Sequence, residues 1–118
     1  DAIALSNHGG RQLDGAPATF PLVAPVADAV GGRSDIICDG GVRRGSDIAK
    51  AVAAGASAAM AGRAYLYGLG AAGERGVDRV LGWLRADLVR TLSLLGAASI
   101  ADLDRSLLEP GPRPPAPP

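Results

Sequence analysis

The chain has 118 residues, of which 47% are hydrophobic and 20% charged, a composition typical of one soluble domain with its own core rather than of a disordered chain. Twelve basic and twelve acidic side chains cancel, so no overall field favours nucleic acid or an anionic membrane, and we expect neither as a partner. No apolar run approaches the roughly 20 residues that span a bilayer, and the N-terminus lacks the basic segment of a signal peptide, so we expect no integral membrane segment.

Three short apolar runs predict strands over residues 2–5, 35–38 and 58–61. Each run ends in glycine and polar residues and is followed by a helical pattern. Strands that are apolar on both faces and alternate with helices are typical of an α/β fold with a buried parallel sheet. The single cysteine, Cys38, lies in the second run, which excludes a disulfide framework and fits the reducing cytoplasm, the location we expect.

Helical patterns follow the first two strands at residues 20–30 and 47–54. In the first helix, Pro21 and Pro25 predict a late start or a kink, because proline is best tolerated in a helix's first turn. Ser46 is the expected N-cap of the second helix, since its hydroxyl can accept a backbone N–H.

The C-terminal half predicts a short helix over residues 65–72, a longer one over 77–95 and one more turn at 99–103. Residues 109–118 read EPGPRPPAPP, and this proline-rich tail is predicted to be disordered beyond a folded unit of residues 1–108. Seven residues at three-or-four spacing predict one apolar stripe facing the core: Val77, Val80, Leu81, Leu84, Leu88, Leu92 and Leu95.

The first polar cluster follows the first strand and contains the only histidine of the chain, His8, with two glycines and Arg11. Histidine exchanges protons near neutral pH, and the planar arginine fork matches a carboxylate. A base beside a carboxylate clamp suits chemistry at the carbon next to an acid group. The residues alone equally allow a structural interpretation, in which His8 caps the strand and Arg11 pairs with Asp14.

The second cluster, DGGVRRGS at residues 39–46, follows the second strand and precedes a helix. Paired glycines there expose backbone N–H groups that can cradle a phosphate, and Arg43 adds positive charge. Asp39 would instead accept hydrogen bonds from hydroxyl groups such as those of a ribityl chain.

The third cluster is Gly62-Arg63, directly after the third strand. In βα barrels a phosphate commonly lies between the loops after the last two strands and a short extra helix. If the second and third clusters are those loops, the three strands are the sixth, seventh and eighth of a TIM (β/α)8 barrel, and the chain is its C-terminal portion of about three βα units.

Together, the segments SNHGGRQLDG, DGGVRRGSD and GRAYLYGL, with the following GERGV, resemble the FMN-dependent α-hydroxy acid dehydrogenase and oxidase family. This family includes glycolate oxidase, L-lactate dehydrogenase and oxidase, mandelate dehydrogenase and flavocytochrome b2. The resemblance covers residues 1 to about 108, with the motifs in the family's order and spacing. Because family members are longer βα barrels, it implies that this chain is a fragment, their C-terminal third.

The resemblance implies FMN as cofactor and a small L-2-hydroxy acid as substrate, oxidised to the 2-oxo acid. His8 would be the catalytic base, removing a proton from the bound substrate while two electrons pass to FMN, and Arg11 would hold the substrate carboxylate. The FMN-binding residues would be Asp39, on the ribityl hydroxyls, and around the phosphate and neighbouring groups Gly40, Gly41, Val42, Arg43, Gly62 and Arg63.

The family also uses tyrosines that contact the substrate, an aspartate bonded to the catalytic histidine and a lysine beside the flavin, all upstream of the histidine loop. Lys50, in a predicted helix, and Tyr65 and Tyr67, after the last strand, do not match those positions. We therefore expect weak FMN binding and negligible turnover by this chain alone, with its partner either the missing N-terminal part of the barrel or a second copy of itself.

Two other interpretations stay open. The chain could be a non-catalytic remnant or a complementing subunit of a split barrel. It could also belong to another FMN barrel, such as type 2 isopentenyl diphosphate isomerase, although the adjacent His8 and Arg11 suit a carboxylate substrate better.

Overall fold

Three parallel strands form the sheet of the structure, a computed structural model that describes residues 1–109. The strands are β1 (Ala2–Leu5), β2 (Asp35–Asp39) and β3 (Ala58–Met60), paired in the order β1-β2-β3. Leu5 pairs with Cys38, and Asp39 with Met60, so all three strands end at one edge. The predicted strands and their parallel pairing are confirmed, whereas the proline-rich tail lies, apart from Glu109, outside the described residues.

Each strand is followed by a helix: α1 (Phe20–Val30), α2 (Gly45–Ala54) and α3 (Arg63–Leu95). Three short 3-10 turns complete the described part of the chain, at His8–Gly10, Ile100–Asp102 and Arg105–Leu107. Among residues 1–109, no helix combines the length and the apolar composition that crossing a bilayer requires.

Helix α1 spans the predicted range and starts at Phe20, with Pro21 in its first turn. The predicted late start is therefore wrong, since Pro21 occupies a position where the missing N–H has no intrahelical partner in any case. Gly31 ends the helix in the left-handed conformation, with φ 57°.

Helix α2 begins two residues before the prediction, with Arg44 rather than Ser46 at its N-cap. The cap comes from within the helix, because one carboxylate oxygen of Asp47 accepts the backbone N–H groups of Arg43 and Arg44, both at 3.0 Å. Gly45 permits this early start, since a Cβ built on it would lie 2.0 Å from the backbone nitrogen of Leu88 in α3.

Helix α3 consists of two helical segments, 63–71 and 74–95, separated by non-helical backbone at Ala72 and Gly73. The two segments correspond to the two predicted helices, with earlier starts. Their backbones touch where side chains are missing, because a Cβ built on Gly76 would lie 1.8 Å from the carbonyl oxygen of Gly68. The chain therefore turns sharply at Gly73, whose φ is 59°.

The core lies between the sheet and helices α1 and α2. Ile36 and Cys38 point from β2 toward the helices, and alanines of α2 allow close approach of helix and sheet. The buried residues of this cluster are Val23, Ile36, Cys38, Ala51, Ala54 and Ala56. A smaller cluster of Ala49, Ala53 and Leu103 lies between α2 and the C-terminal part of the chain.

Five of the seven residues of the predicted apolar stripe of α3 are at least half-buried. Leu84 is buried, and Val77, Val80, Leu88 and Leu92 are half-buried, but Leu81 and Leu95 are 52% and 43% exposed. The prediction is wrong for Leu81 and Leu95 because α2, about 15 Å long, cannot cover the whole second segment of α3, about 33 Å long at 1.5 Å per residue.

The other face of the sheet carries no helix in the described part of the chain. Strand alternation and register direct small and apolar side chains to this face, and all but one of them are exposed. We call this set the uncovered sheet face: Ala2, Ala4, Ile37, Ala58 and Met60. Strands β1 and β3 each have one unpaired edge within residues 1–109.

Candidate active site

The three polar clusters lie at one edge of the sheet, the edge at which all strands end. His8 is in the 3-10 turn after β1, Asp39 ends β2, and Arg63 begins α3 shortly after β3. The sequence predicted this common edge, and the structure adds contacts that join the three loops.

The loop after β1 holds His8 in an unusual backbone conformation. His8 has φ 53°, in the left-handed region that residues with a Cβ occupy at a cost, and Gly9 and Gly10 follow with φ 68° and 75°. The hydroxyl of Ser6 accepts the N–H of His8 at 3.1 Å. The His8 imidazole is exposed and makes no side-chain hydrogen bond within residues 1–109, so it is open to a ligand from outside this chain.

Asn7 joins the loops after β1 and β2. Its Oδ1 accepts the N–H of Gly9 at 3.0 Å, and its Nδ2 donates to the carbonyl of Pro17 at 3.2 Å. The same Oδ1 would lie 3.2 Å from a Cβ on Gly40, whose φ is 91°. Glycine at position 40 therefore serves both the positive φ and the close approach of the two loops.

Thr19 fixes the end of β2 from the start of α1. It is buried, with 4% of its surface exposed, and its hydroxyl donates to the carbonyl oxygen of Asp39. The Cys38 thiol lies beside the same hydroxyl, and burial raises the pKa of this thiol, with a smaller opposing effect from Thr19. Cys38 is thus a protonated core residue that supports the position of Asp39.

Arg63 joins the loops after β1 and β3. Its Nη2 donates to the carbonyl oxygen of Gly9 at 3.4 Å, across 54 positions of sequence. A Cβ on Gly9 would lie 3.0 Å from that nitrogen, so the guanidinium packs directly on the glycine backbone.

The N-termini of α2 and α3 differ in what occupies their backbone N–H groups. At α2, Asp47 accepts the N–H groups of Arg43 and Arg44, and the Asp87 carboxylate accepts that of Ser46 at 3.2 Å. The start of α3 has no side-chain cap. The backbone N–H groups of Arg43, Arg44 and Ser46 are therefore bonded to carboxylates, whereas the phosphate cradle was predicted at the paired glycines of this loop.

Two other predicted FMN ligands of the second cluster, Val42 and Arg43, differ in their exposure. Val42 is buried, so only its backbone can face a ligand. Arg43 is exposed and lines a cavity of about 320 Å³. This cavity is lined by Arg43, Arg44, Val80, Trp83, Leu84 and Asp87.

Arg11 is exposed at the end of the loop that carries His8. The two ion pairs within residues 1–109 are Arg90–Asp87 and Arg105–Asp28, so the structural alternative of an Arg11–Asp14 pair does not occur. The guanidinium of Arg11 is available for an anionic ligand.

The glycines at this edge leave room for an FMN phosphate and ribityl chain. A Cβ built on Gly10, Gly41 or Gly62 would meet no atom within 4 Å. Open backbone at Gly41 and Gly62, the start of α3 without a side-chain cap and the exposed Arg63 guanidinium all lie at this edge, as does the half-buried Asp39, and each of the first three favours an anion. The donor set fits a phosphate flanked by hydroxyl groups.

Four residues that hold these loops were not predicted from the sequence: Asn7, Thr19, Asp47 and Asp87. Asn7 carried a usable signal, since asparagine before a Gly-rich turn commonly accepts the N–H two residues on. Asp47 also carried a general signal, since an acidic residue in the first turn favours the positive end of a helix. Asp87 reaches Ser46 across 41 positions, and no local pattern predicts such a contact.

Comparison with known proteins identifies relatives over nearly the whole chain. Residues 1–110 match the family model described as FMN-dependent dehydrogenase. The pre-mycofactocin synthase of Mycolicibacterium smegmatis is 53% identical over 102 residues, which are 86% of this chain and 26% of that protein. The L-lactate oxidase of Nostoc sp. is 45% identical over 107 residues, 91% of this chain and 29% of that protein.

Solved structures of flavoenzymes share the fold. A flavocytochrome b2 variant with bound sulfite superposes with a TM-score of 0.87 at 38% identity, and a monotopic membrane protein, (S)-mandelate dehydrogenase, with 0.85 at 48%. Each match covers 92% of this chain and 29% of the other. The chain thus spans less than a third of the length of these relatives.

Proposed function

This chain belongs to the FMN-dependent dehydrogenase family, and we propose that it supplies the catalytic base and the phosphate-binding loops of an enzyme that oxidises an L-2-hydroxy acid to the 2-oxo acid. The observation that carries the proposal is the meeting of the three loops at one sheet edge, where Arg63 contacts Gly9 and Asn7 packs against Gly40. The substrate class follows the names of the L-lactate oxidase and (S)-2-hydroxyacid oxidase relatives.

In this proposal His8 accepts a proton from the bound hydroxy acid, and Arg11 holds the substrate carboxylate. Both side chains are exposed at the same loop and are bonded to no other side chain of residues 1–109. The unusual backbone of His8, supported by Ser6, directs the imidazole without a neighbouring carboxylate from this chain. The carboxylate partner would come from upstream residues of a complete barrel.

FMN, when bound, supplies the acceptor for the two electrons that leave the substrate. The phosphate would lie at Gly41, Gly62 and Arg63, with Arg43 adding charge. Asp39 would accept hydrogen bonds from the ribityl hydroxyls, at a position that Thr19 stabilises through the backbone. The backbone of Gly40 and Val42 completes the FMN-binding loop.

We further propose that the three strands are strands six to eight of an eight-stranded barrel. The exposed, apolar and small side chains of the uncovered sheet face suit the interior of such a barrel. The partner is then the N-terminal part of a family barrel. The chain alone binds FMN weakly and oxidises hydroxy acids negligibly. A buried lone cysteine fits a cytoplasmic location, which we include in the proposal.

Flavin absorbance and fluorescence test the proposal on the chain alone and after mixing with a recombinant N-terminal portion of a family barrel. We expect stoichiometric FMN binding and bleaching of the flavin by L-lactate, glycolate or (S)-mandelate only in the mixture. The matched variants His8→Gln and Arg11→Lys should bind FMN in the mixture but lose bleaching. Bleaching by the chain alone would contradict the proposed inactivity, and failure of every mixture to bind FMN would contradict the function.

A second candidate has support from the 53% identity to pre-mycofactocin synthase, a relative whose name denotes a different product. A mixture that binds FMN stoichiometrically yet is bleached by none of the three hydroxy acids would favour it. A non-catalytic complementing subunit is the third candidate, supported by the open sheet edges, and it would be favoured if His8→Gln left the activity of the mixture unchanged.

A further inference from the structure

We propose that Arg63 is a positioning residue that couples an anion at the start of α3 to the conformation of the loop bearing His8. This inference rests on the proposed function, because the anion it invokes is the phosphate of FMN. It adds to Arg63, beyond phosphate binding, a second role toward the base.

The coupling begins at the peptide unit between Gly9 and Gly10. The carbonyl oxygen of this unit accepts Nη2 of Arg63 at 3.4 Å, and its N–H, that of Gly10, donates to the carbonyl of Asn7 at 2.9 Å. Because a peptide unit is planar and rigid, the group can rotate only if both contacts break. Arg63 therefore helps to hold the short turn that contains His8.

The same turn restricts His8 directly. The N–H of Gly9 is bonded to Oδ1 of Asn7 and that of His8 to Ser6, so the peptide units on both sides of His8 are held. His8 remains in the left-handed region, at φ 53°, only while these contacts persist. Losing the Arg63 contact removes one of the few restraints on an otherwise exposed loop.

The guanidinium of Arg63 can donate to the Gly9 carbonyl and to an anion at the same time. It has five N–H donors in a fixed plane, and Gly9 occupies one of them. The side chain is exposed and belongs to the first turn of α3, where no side-chain cap occupies the backbone N–H groups. An anion there orders the guanidinium, which lowers the entropic cost of its contact with Gly9.

Titration of the ¹⁵N-labelled chain with inorganic phosphate tests the coupling through the amide resonances of Gly9 and Gly10. The matched variants are Arg63→Gln and Arg43→Gln, each of which removes one positive charge. They differ in that Arg63 is hydrogen-bonded to Gly9, whereas no hydrogen bond joins Arg43 to residues 6–11. We expect Arg43→Gln to raise the phosphate concentration at the midpoint of the titration while leaving the total chemical-shift change of the Gly9 and Gly10 amides unchanged. Arg63→Gln should abolish that chemical-shift change even at saturating phosphate.

Hydrogen exchange provides a readout without any anion. Losing one hydrogen bond to an arginine should accelerate exchange of the Gly10 amide about fivefold, equivalent to about 1 kcal/mol, in Arg63→Gln and not in Arg43→Gln. Unchanged resonances of the core residues Ile36 and Cys38 would show that both variants are folded.

The coupling would be overturned if Arg63→Gln kept the full phosphate-induced chemical-shift change at Gly9 and Gly10. Equal hydrogen-exchange rates of the Gly10 amide in the two variants would also overturn it. Saturable FMN binding by the wild-type chain or its barrel mixture, measured by flavin fluorescence, without any change at these amides would overturn the coupling and leave the proposed function standing. Absence of both FMN binding and a phosphate response would overturn the two together.

Discussion

At the scale of single residues, the site depends on backbone conformations that are uncommon for residues with a side chain. His8 occupies the left-handed region, and the Ser6 hydroxyl and the Asn7 amide hold the adjoining peptide units. Gly40 has a positive φ, and a Cβ there would be in tight contact with Oγ1 of Thr19 and Oδ1 of Asn7, at 3.1 and 3.2 Å. Such strain, of order 1–3 kcal/mol per residue, persists only where the surroundings impose it, and it occurs here beside the exposed imidazole.

Gly40→Ala should destabilise the chain more than Gly32→Ala, a control with similar backbone conformation. Both residues have a positive φ, 91° for Gly40 and 75° for Gly32. A Cβ at position 40 would lie 3.1 Å from Oγ1 of Thr19, whereas a Cβ at position 32 would have no atom within 4 Å. We expect the control to cost about 1 kcal/mol and Gly40→Ala about 1–3 kcal/mol more, measured by urea denaturation. Equal costs would show that the two loops are not in close contact.

At the scale of elements, α2 is held by its neighbours as well as by its own capping residues. Its start lies against the backbone of α3 at Gly45, and Asp87 of α3 bonds to Ser46. Its end is bonded by Arg105 of the last 3-10 turn, whose Nε donates to the carbonyl of Ala54. The helix that follows the glycine-rich loop after β2 is therefore positioned at both ends by residues distant in sequence.

Gly45→Ala should be severely destabilising because the new methyl group would meet backbone atoms of α3, which cannot rotate away. We expect a loss of at least about 3 kcal/mol in the free energy of unfolding. Gly82→Ala in the exposed middle of α3 is the matched control, with no atom within 4 Å of its Cβ. It should stabilise by about 0.5–1 kcal/mol through helix propensity. A mild effect of Gly45→Ala would refute the close crossing of α2 and α3.

The Arg105–Asp28 ion pair should make the attachment of the C-terminal turn to α1 dependent on pH. The Arg105 guanidinium, 2.8 Å from Oδ1 of Asp28, lowers the pKa of that carboxyl below its ordinary value of 3.8 through a hydrogen bond and charge. A carboxyl with a lowered folded-state pKa stabilises the fold above its unfolded pKa and loses this contribution as pH falls through the folded value.

Wild type and Arg105→Gln should therefore differ more in urea midpoint at pH 6 than below about pH 3. Arg33→Gln provides the control, since Arg33 donates only to the carbonyls of Ala29 and Val30 and has no carboxylate partner. Its effect should be the same at both pH values. A pH-independent difference for Arg105→Gln would mean that the ion pair contributes nothing beyond the backbone hydrogen bonds of Arg105.

At the scale of the whole molecule, helices cover one face of the sheet, whereas no helix of residues 1–109 packs on the uncovered sheet face. Parallel sheets are normally buried on both faces, and both edges of this sheet are unpaired within residues 1–109. In the barrel that we propose, the N-terminal strands would enclose the uncovered sheet face. Assembly with an N-terminal barrel portion would bury it.

Met60→Glu should leave the stability of the isolated chain within about 0.5 kcal/mol, because Met60 is 44% exposed, but should prevent assembly with the barrel portion. Burying an unpaired carboxylate in the barrel interior would cost several kcal/mol. Leu94→Glu, at a residue 82% exposed on α3, is the control and should assemble normally. The measurement is FMN binding in the mixture, and equal binding by both variants would contradict the barrel assignment.

Most of the local structure and the place of the site could be read from the sequence. Apolar runs and glycine stops predicted the three strands, α1, α2 and the two segments of α3 to within about three residues, because strand and helix signals depend on residues a few positions apart. Parallel order then placed His8, Asp39 and Arg63 at one edge, since strands joined by helices end on the same side. The motifs themselves carried the family resemblance.

The tertiary structure decided which of those residues touch and which polar groups stay free. The N–H of Ser46 at the start of α2 is bonded to Asp87, and Arg63 donates to the carbonyl oxygen of Gly9 across 54 positions. The N-cap of α2 is Arg44 rather than Ser46, and Leu81 and Leu95 of the predicted α3 stripe are exposed. These outcomes depend on how closely two backbones approach at glycines such as Gly45, and that distance is set by packing between elements and not by any local pattern.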